Sequence, residues 1–349
     1  MQRNNSRGFV LVSVLWVLVI MVLAATAFSI WVDRVREHAS NRQKQVETYR
    51  ASVDSLHKIV YTYMTGFKNN QGVAWPGESE GSQPTISFDS LDDFMAGAAP
   101  TIKASPAGFL HLDGEVLDLG DGMRVMVQDR AGLIGLSFLS DMRIFRAISS
   151  QNGGTVSAER LRDSLRDYQD PDGIRQLQGA ERREYEQQGV AIPANGYLRS
   201  PLQLRNVMGW SSILAGYDNA WILRVFKTEG AGVINANTAS PQALKLVVRE
   251  PDLVPQIISR REQERFDGVS KLARYAGVDD EILMSILPAS GIRFWWWYEG
   301  GTSAYVYDVQ FSPLESGGNA WYFNWSARVN LPDDLASRTA IAIDHPFFR

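Results

Sequence analysis

The densest group of potential ligands in the chain lies between Arg166 and Gln187, in the stretch RDYQDPDGIRQLQGAERREYEQ. Asp167, Asp170 and Asp172 fall within six residues, and Pro171 and Gly173 bend the backbone around them. Such a turn can aim several carboxylates at one point. Glu181 and Glu184, on the helix expected next, can close the shell. Oxygen ligands without imidazole or thiolate select Ca²⁺ over transition metals. The stretch is not an EF-hand, because the loop pattern ending in a bidentate Glu is absent. Like charges this close repel unless a cation or solvent compensates them. The spacing therefore leaves two readings open, a metal-binding turn and a solvated acidic loop.

No other chemistry stands out. The absence of cysteine removes thiol nucleophiles, disulfides and Cys-type zinc sites together. His38, His57, His111 and His345 are too dispersed to suggest a metalloenzyme. There is no G-x-S-x-G, Walker loop, H-E-x-x-H or dinucleotide fingerprint, and scattered Ser, Asp and His make no triad without geometry. The chain reads as a protein that is not an enzyme. Its 35 Lys and Arg against 39 Asp and Glu leave a net charge of -4, which argues against a strongly basic nucleic-acid binder. With 45% hydrophobic and 21% charged residues, wholesale disorder is excluded. At 349 residues there is room for one large folded unit or two to three modest ones.

The elements that must position the acidic turn begin with an uncharged run of 24 residues, Phe9 to Val32. As a helix it is about 36 Å long, enough for the ~30 Å hydrocarbon core. Arg3 and Arg7 precede it, so the positive-inside rule keeps the N-terminus cytoplasmic and exports the rest. A cleaved signal peptide is the rival reading, with an A-x-A site at Ala25-Thr26-Ala27. Against it, the run is long, continues past that site and leads directly into helical sequence. Val35, Ala39, Val46, Tyr49, Val53, Leu56, Val60 and Tyr63 recur at threes and fours, interrupted by Arg42. One helix is thus expected over 9–65, half in lipid and half on a domain, ending at Gly66.

Residues 66–108 are rich in Gly, Pro, Ser and Asp and read as loops with at most a short helix. The stretch 109–128 alternates about Gly120-Asp121-Gly122, a β-hairpin signal. AGLIGLSFLS at 131–140 is echoed by AGVINANTAS at 231–240, and SPLQLRNVMG at 200–209 by DGVSKLARYAG at 267–277, which suggests two related helical lobes within 131–290. Helices are expected at 141–149, 157–168, 179–188, 200–208, 211–215, 240–249, 252–264, 269–275 and 278–286, with Ser157 and Ser240 as starts. FWWWY at 294–298, AYVYDVQF at 304–311, AWYFNWSARVNL at 320–331 and TAIAI at 339–343 read as antiparallel strands. The fold class is α+β: a long N-terminal helix packed on an antiparallel sheet, formed by 66–130 and 291–349, with 131–290 inserted.

The N-terminus resembles the class III signal of the type IV pilin and pseudopilin superfamily: a short basic leader, Gly8, then Phe9 opening the helix. The resemblance implies that a prepilin peptidase removes residues 1–8 between Gly8 and Phe9 and that Phe9 becomes N-methylated. Most members carry glutamate at the fifth mature position, where this chain has Ser13. That departure and the chain length resemble the K subunit of type II secretion systems. The resemblance implies a minor pseudopilin in the bacterial inner membrane with its globular part in the periplasm. It would sit at the pseudopilus tip and nucleate assembly for protein export. Implied partners are the I and J minor subunits, the major pseudopilin, the prepilin peptidase and the inner-membrane secretion platform. Family members carry a similar aspartate-rich phrase followed by G-A-E, matched here by Asp167, Asp170, Asp172 and Gly179-Ala180-Glu181, which implies bound calcium.

Residues 231–277 also resemble a helix-hairpin-helix segment, as in membrane-anchored competence proteins that bind DNA. The alternative reading is thus a minor pilin of a type IV pilus or competence system; a third is a periplasmic domain unrelated to pili. Here the hairpin stretch is VVREPDLVPQ, with no glycine to bring amides to phosphate, and Glu262, Glu264 and Asp267 cancel Arg260, Arg261 and Arg265. No nucleic acid is expected. Asn235, Asn237 and Thr238 are then read as caps for free amides of helices and a turn.

Overall fold

The computed structural model describes residues 7–75, 86–87, 101–102, 108–137, 139–230, 234–268, 285–312, 319–343 and 348. The chain divides into two units, Met1–His57 and Lys58–Arg349. Helix α1, Arg7–Thr65, supplies all described residues of the first and opens the second. Neither proline nor glycine interrupts it after Phe9. In the first unit an 18-residue window reaches a mean hydropathy of 2.5 with none of it buried, long and apolar enough to cross a bilayer. Thr26 donates its hydroxyl to the carbonyl of Val22 (2.8 Å), so that polar group is satisfied within the helix. Within this unit Val35, Val46 and Tyr49, members of the expected apolar stripe, are exposed. Between residues 33 and 50 charges lie around most of the helix, which suits water on every side.

In the second unit Ile59, Val60 and Tyr63 are buried, and Tyr63 stacks on Phe311 at 4.4 Å between ring centroids. After Gly66 come β1 (Lys68–Asn69), β2 (Gly72–Ala74), β3 (Ile86–Ser87) and β4 (Thr101–Ile102), short strands where loops with at most a short helix were expected. Asn69 explains the first pair: its Oδ1 accepts from the amides of Gln71 (2.9 Å) and Gly72 (3.2 Å) and closes the turn. β5 (Phe109–Leu110) completes a three-stranded sheet with β1 and β2. The predicted hairpin is β6 (Asp113–Gly120) and β7 (Met123–Asp129), turning through Asp121 and Gly122, both at positive φ.

Beyond Asp129 the chain leaves the sheet. Among the described residues it forms β8 (Ile134–Gly135), α2 (Met142–Gln151), α3 (Ala158–Gln169), α4 (Arg182–Gln188), α5 (Trp210–Leu214), α6 (Asn219–Val225), β9 (Phe226–Lys227), α7 (Pro241–Val247) and α8 (Val254–Gln263). Ser157 and Ser240 cap as expected, accepting from the amides of Arg160 and Ala243 (both 3.1 Å). The stretch 200–208 is a 3₁₀ helix, Pro201–Asn206, rather than α. Sequence reading missed α6, whose signal was Asp218 accepting from the amide of Trp221. The expected helix 269–275, and most of 278–286 and of the echoed phrase at 267–277, lie outside the described residues; Ser285 itself makes a β-bridge to Asn235.

The chain returns as β10 (Gly291–Tyr298), which pairs antiparallel with β7 and with β11 (Ser303–Phe311); β11 in turn pairs with β12 (Trp321–Asn330). After α9 (Asp333–Ala336), β13 (Ile341–Ala342) joins β6. Among the described residues the main sheet has the order β12-β11-β10-β7-β6-β13. It is mixed, because β13 runs parallel to β6, where only antiparallel pairing was expected. The aromatic run has a simple cause: β10 is central, and Phe294, Trp295, Trp296 and Trp297 are all buried, so both faces are covered.

One carboxylate ties the departure of the helical segment to its return. Asp129, fully buried, accepts from the amides of Ala131 (2.9 Å) and Ala289 (2.9 Å), the Thr238 hydroxyl (2.9 Å) and Asn235 Nδ2 (3.3 Å). Burial raises its pKa, while the amides of Ala289 and Ala131 and the Thr238 hydroxyl oppose the rise. Asn235, Asn237 and Thr238 do not cap a helix, a correction, but the expected turn is present: Asn235 Oδ1 accepts from the amide of Asn237 (3.0 Å). Asn237 instead brackets Phe266, donating to its carbonyl (2.8 Å) and accepting from its amide (2.9 Å).

Candidate metal centre

The acidic turn is built on one face of α3. Arg160, Asp163 and Asp167, spaced i, i+3, i+7, all grip the loop that follows the helix. Arg160 Nη1 donates to the carbonyls of Gln178 (2.8 Å) and Gly179 (3.0 Å). Asp163 accepts from the amide of Gln178 (3.1 Å), and both Asp167 oxygens accept from the amide of Gln176 (3.1 and 3.2 Å). Gly179 passes so close that a Cβ there would lie 1.8 Å from Asp167 Oδ2, which only glycine permits. Arg160 and Asp163 were missed by sequence reasoning; their helical spacing with Asp167 was the available signal.

The loop brings Asp170, Asp172 and Glu181 together. One carboxylate oxygen from each lies within 4.8 Å of the others. Asp170 caps the C-terminus of α3, its amide donating to Arg166 (2.9 Å). Asp172 Oδ1 accepts from the amide of Ile174 (2.8 Å), and its carbonyl accepts from Asn195 Nδ2 (3.1 Å). Glu181 is the N-cap residue of α4. Asp170 Oδ1 and Glu181 Oε1 are buried with no hydrogen-bond donor. Acceptors left bare in this way fit a cation.

The remaining two candidates do other work. Asp167 is buried and holds the Gln176 amide. Glu184 Oε2 accepts from the amide of Glu181 (3.0 Å), while its other oxygen is 3.9 Å from Arg175. That amide is the main reason the Glu184 pKa is lowered. The other carboxyls move upward. Burial, then Asp167 and Asp170, push Glu181 up to about 7. Burial, assisted by Asp170, pushes Asp167 up to about 6; burial and then Asp172 raise Asp170. The arrangement can hold a hard divalent cation on three carboxylates.

The arginines of the DNA-binding alternative are engaged internally. Arg261, buried, donates to the carbonyls of Ala236 (2.9 Å) and Ala239 (2.6 Å). Arg265 pairs with Asp113 (2.6 Å) and Arg260 with Glu264 (2.6 Å).

Comparison with known proteins places a family match on this lobe. Residues 138–215 match the family described as "Type II secretion system (T2SS), protein K". No curated protein sequence matches the chain. Among solved structures, the chain is similar to one in the GspK-GspI-GspJ complex from the enterotoxigenic Escherichia coli Type 2 Secretion System. The identity is 14% and the TM-score 0.46, covering 84% of this chain and 99% of that one.

Proposed function

We propose that this protein is a minor pseudopilin of a type II secretion system, of the protein K kind, with a calcium-ordered helical lobe. The observation that carries the reading is the correspondence of residues 138–215 to the protein K family, a stretch that contains the whole acidic turn. The segment order supports it. A leader, 1–8, precedes the apolar helix; 66–130 and 291–349 make the pseudopilin α/β domain; 131–290 are its insertion. The apolar part of α1 anchors the chain in the inner membrane, with Arg3 and Arg7 cytoplasmic and the globular part periplasmic. Ser13 in place of glutamate suits a subunit with nothing above it, at the tip of the pseudopilus. There it joins the I and J minor subunits and nucleates assembly on the major pseudopilin. Its work is recognition, and no bond is made or broken after the leader is removed.

Asp170, Asp172 and Glu181 would hold the calcium. When bound, the ion supplies the positive charge that offsets repulsion among these carboxylates. The chain's own residues do the positioning: Asp167, Asp163 and Arg160 clamp 176–179 to α3, and Glu184 holds the amide of Glu181. Mass spectrometry of the N-terminus after membrane extraction tests the reading. The expected first residue is N-methylated Phe9; an intact Met1, or a start at Phe28, overturns it.

A further inference from the structure

We propose that a groove between α2 and the end of α7 is a docking site for an acidic, apolar segment of a partner protein. It has a volume of about 640 Å³. One wall is a single face of α2, with Arg143, Arg146, Ala147 and Ser150 at i, i+3, i+4 and i+7. The other is Lys245, at the last turn of α7, and Arg249 in the bend before Pro251. Between them Leu246 and Val247 form an apolar floor.

Charge identifies the occupant. Arg143 is neutralised by Asp141 at 3.0 Å. Arg146, Lys245 and Arg249 are exposed, and among the described residues no carboxylate pairs with them. Glu250 and Asp252 follow in the chain but do not line the groove. A chain with a net charge of -4 thus concentrates unpaired cations around an apolar floor. A carboxylate-bearing segment with aliphatic side chains complements both features. The space exceeds what a single inorganic anion fills. None of the lining residues is aromatic, so a single-stranded nucleic acid would find no stacking platform. The inference stands on this groove alone and does not depend on the metal centre or on the secretion reading.

Fluorescence anisotropy with the full chain in detergent tests it, using a labelled peptide of alternating Asp and Leu. Versions with Asn for Asp, or Ser for Leu, serve as controls. The alternating peptide should bind, and each control should bind at least about tenfold more weakly. The triple variant R146E/K245E/R249E should lose at least about tenfold in affinity, whereas R42E/K44E/R50E on α1 should bind as the wild type does. If the triple variant does not fold, R146E and K245E singly should each weaken binding. The proposal is overturned if the reversal variants bind unchanged or if the Ser-containing peptide binds equally. Equal displacement by inorganic phosphate, by a thymidine oligonucleotide or by anionic phospholipid vesicles would likewise reject it, in favour of a general anion site.

Discussion

Arg293 and Asp308 stand directly opposite each other on β10 and β11, and both Arg293 Nε (2.9 Å) and Nη2 (2.5 Å) donate to Asp308 Oδ2. Neither side chain meets solvent. Arg293 also donates to the carbonyls of Leu223 and Phe226 (2.7 Å to the latter), at the end of α6, and lies over the Trp325 ring. Asp308 Oδ1 accepts from Asn324 Nδ2 (2.7 Å) and lies 3.2 Å from Arg130 Nε. The pair therefore fastens the inserted helices to the sheet through a helix C-terminus, where a cation is favoured.

Removing one partner should be worse than removing both. Asp308→Ala leaves a buried guanidinium without its counter-charge and should cost about 3–5 kcal/mol, read from urea unfolding. The double variant R293M/D308L should recover part of that loss, since neither charge of the pair is then left buried alone, while the Leu223 and Phe226 carbonyls and Asn324 still lose their partners.

Calcium should stabilise the wild type and not the ligand variants. At about 100-fold excess over Kd, a single site adds about 2.7 kcal/mol. Thermal melts of the wild type, D170A and D172A with calcium and with chelator should show the rise only in the wild type. An equal response in all three would eliminate these ligands.

The pH dependence without metal should have an inverted sign for carboxylates. Glu181 is raised to about 7 and Asp167 to about 6 in the folded chain. Between the ordinary carboxylate range and those values the native state binds more protons than the unfolded state. The cluster's contribution to stability then falls as pH rises through that window. With chelator present, the melting temperature of the wild type should decline from about pH 5 to about pH 7 more steeply than that of E181Q. Calcium, which needs the ionised forms, should bind more tightly as pH rises through the same window.

Gly179→Ala tests the clamp without touching a ligand. The added methyl meets Asp167 at 1.8 Å, so the loop must retreat from α3. The expected outcome is a loss of about 1–3 kcal/mol and a weakened calcium response, measured by the same melts.

Much of this architecture was legible locally. Periodicity located α1, α2 and α3 and the strands β6 and β7 to within a few residues, because a helix or hairpin is written in adjacent spacing. The position of the acidic turn was legible for the same reason. Its inner order was not. Asp170, Asp172 and Glu181 converge, while Glu184, one helical turn beyond Glu181, is turned to the start of α4.

Sequence alone determined the apolar helix, the absence of thiol chemistry, the hairpin and a carboxylate-rich bend between two helices. Those properties follow from composition and from contacts among neighbours along the chain. Tertiary structure alone decided that Asp129 binds both Ala131 and Ala289, that Arg293 and Asp308 are sealed together, and that β13 runs parallel to β6. These depend on register and on closing loops of many residues, where many pairings are locally equivalent. Only the packing of the whole removes the alternatives.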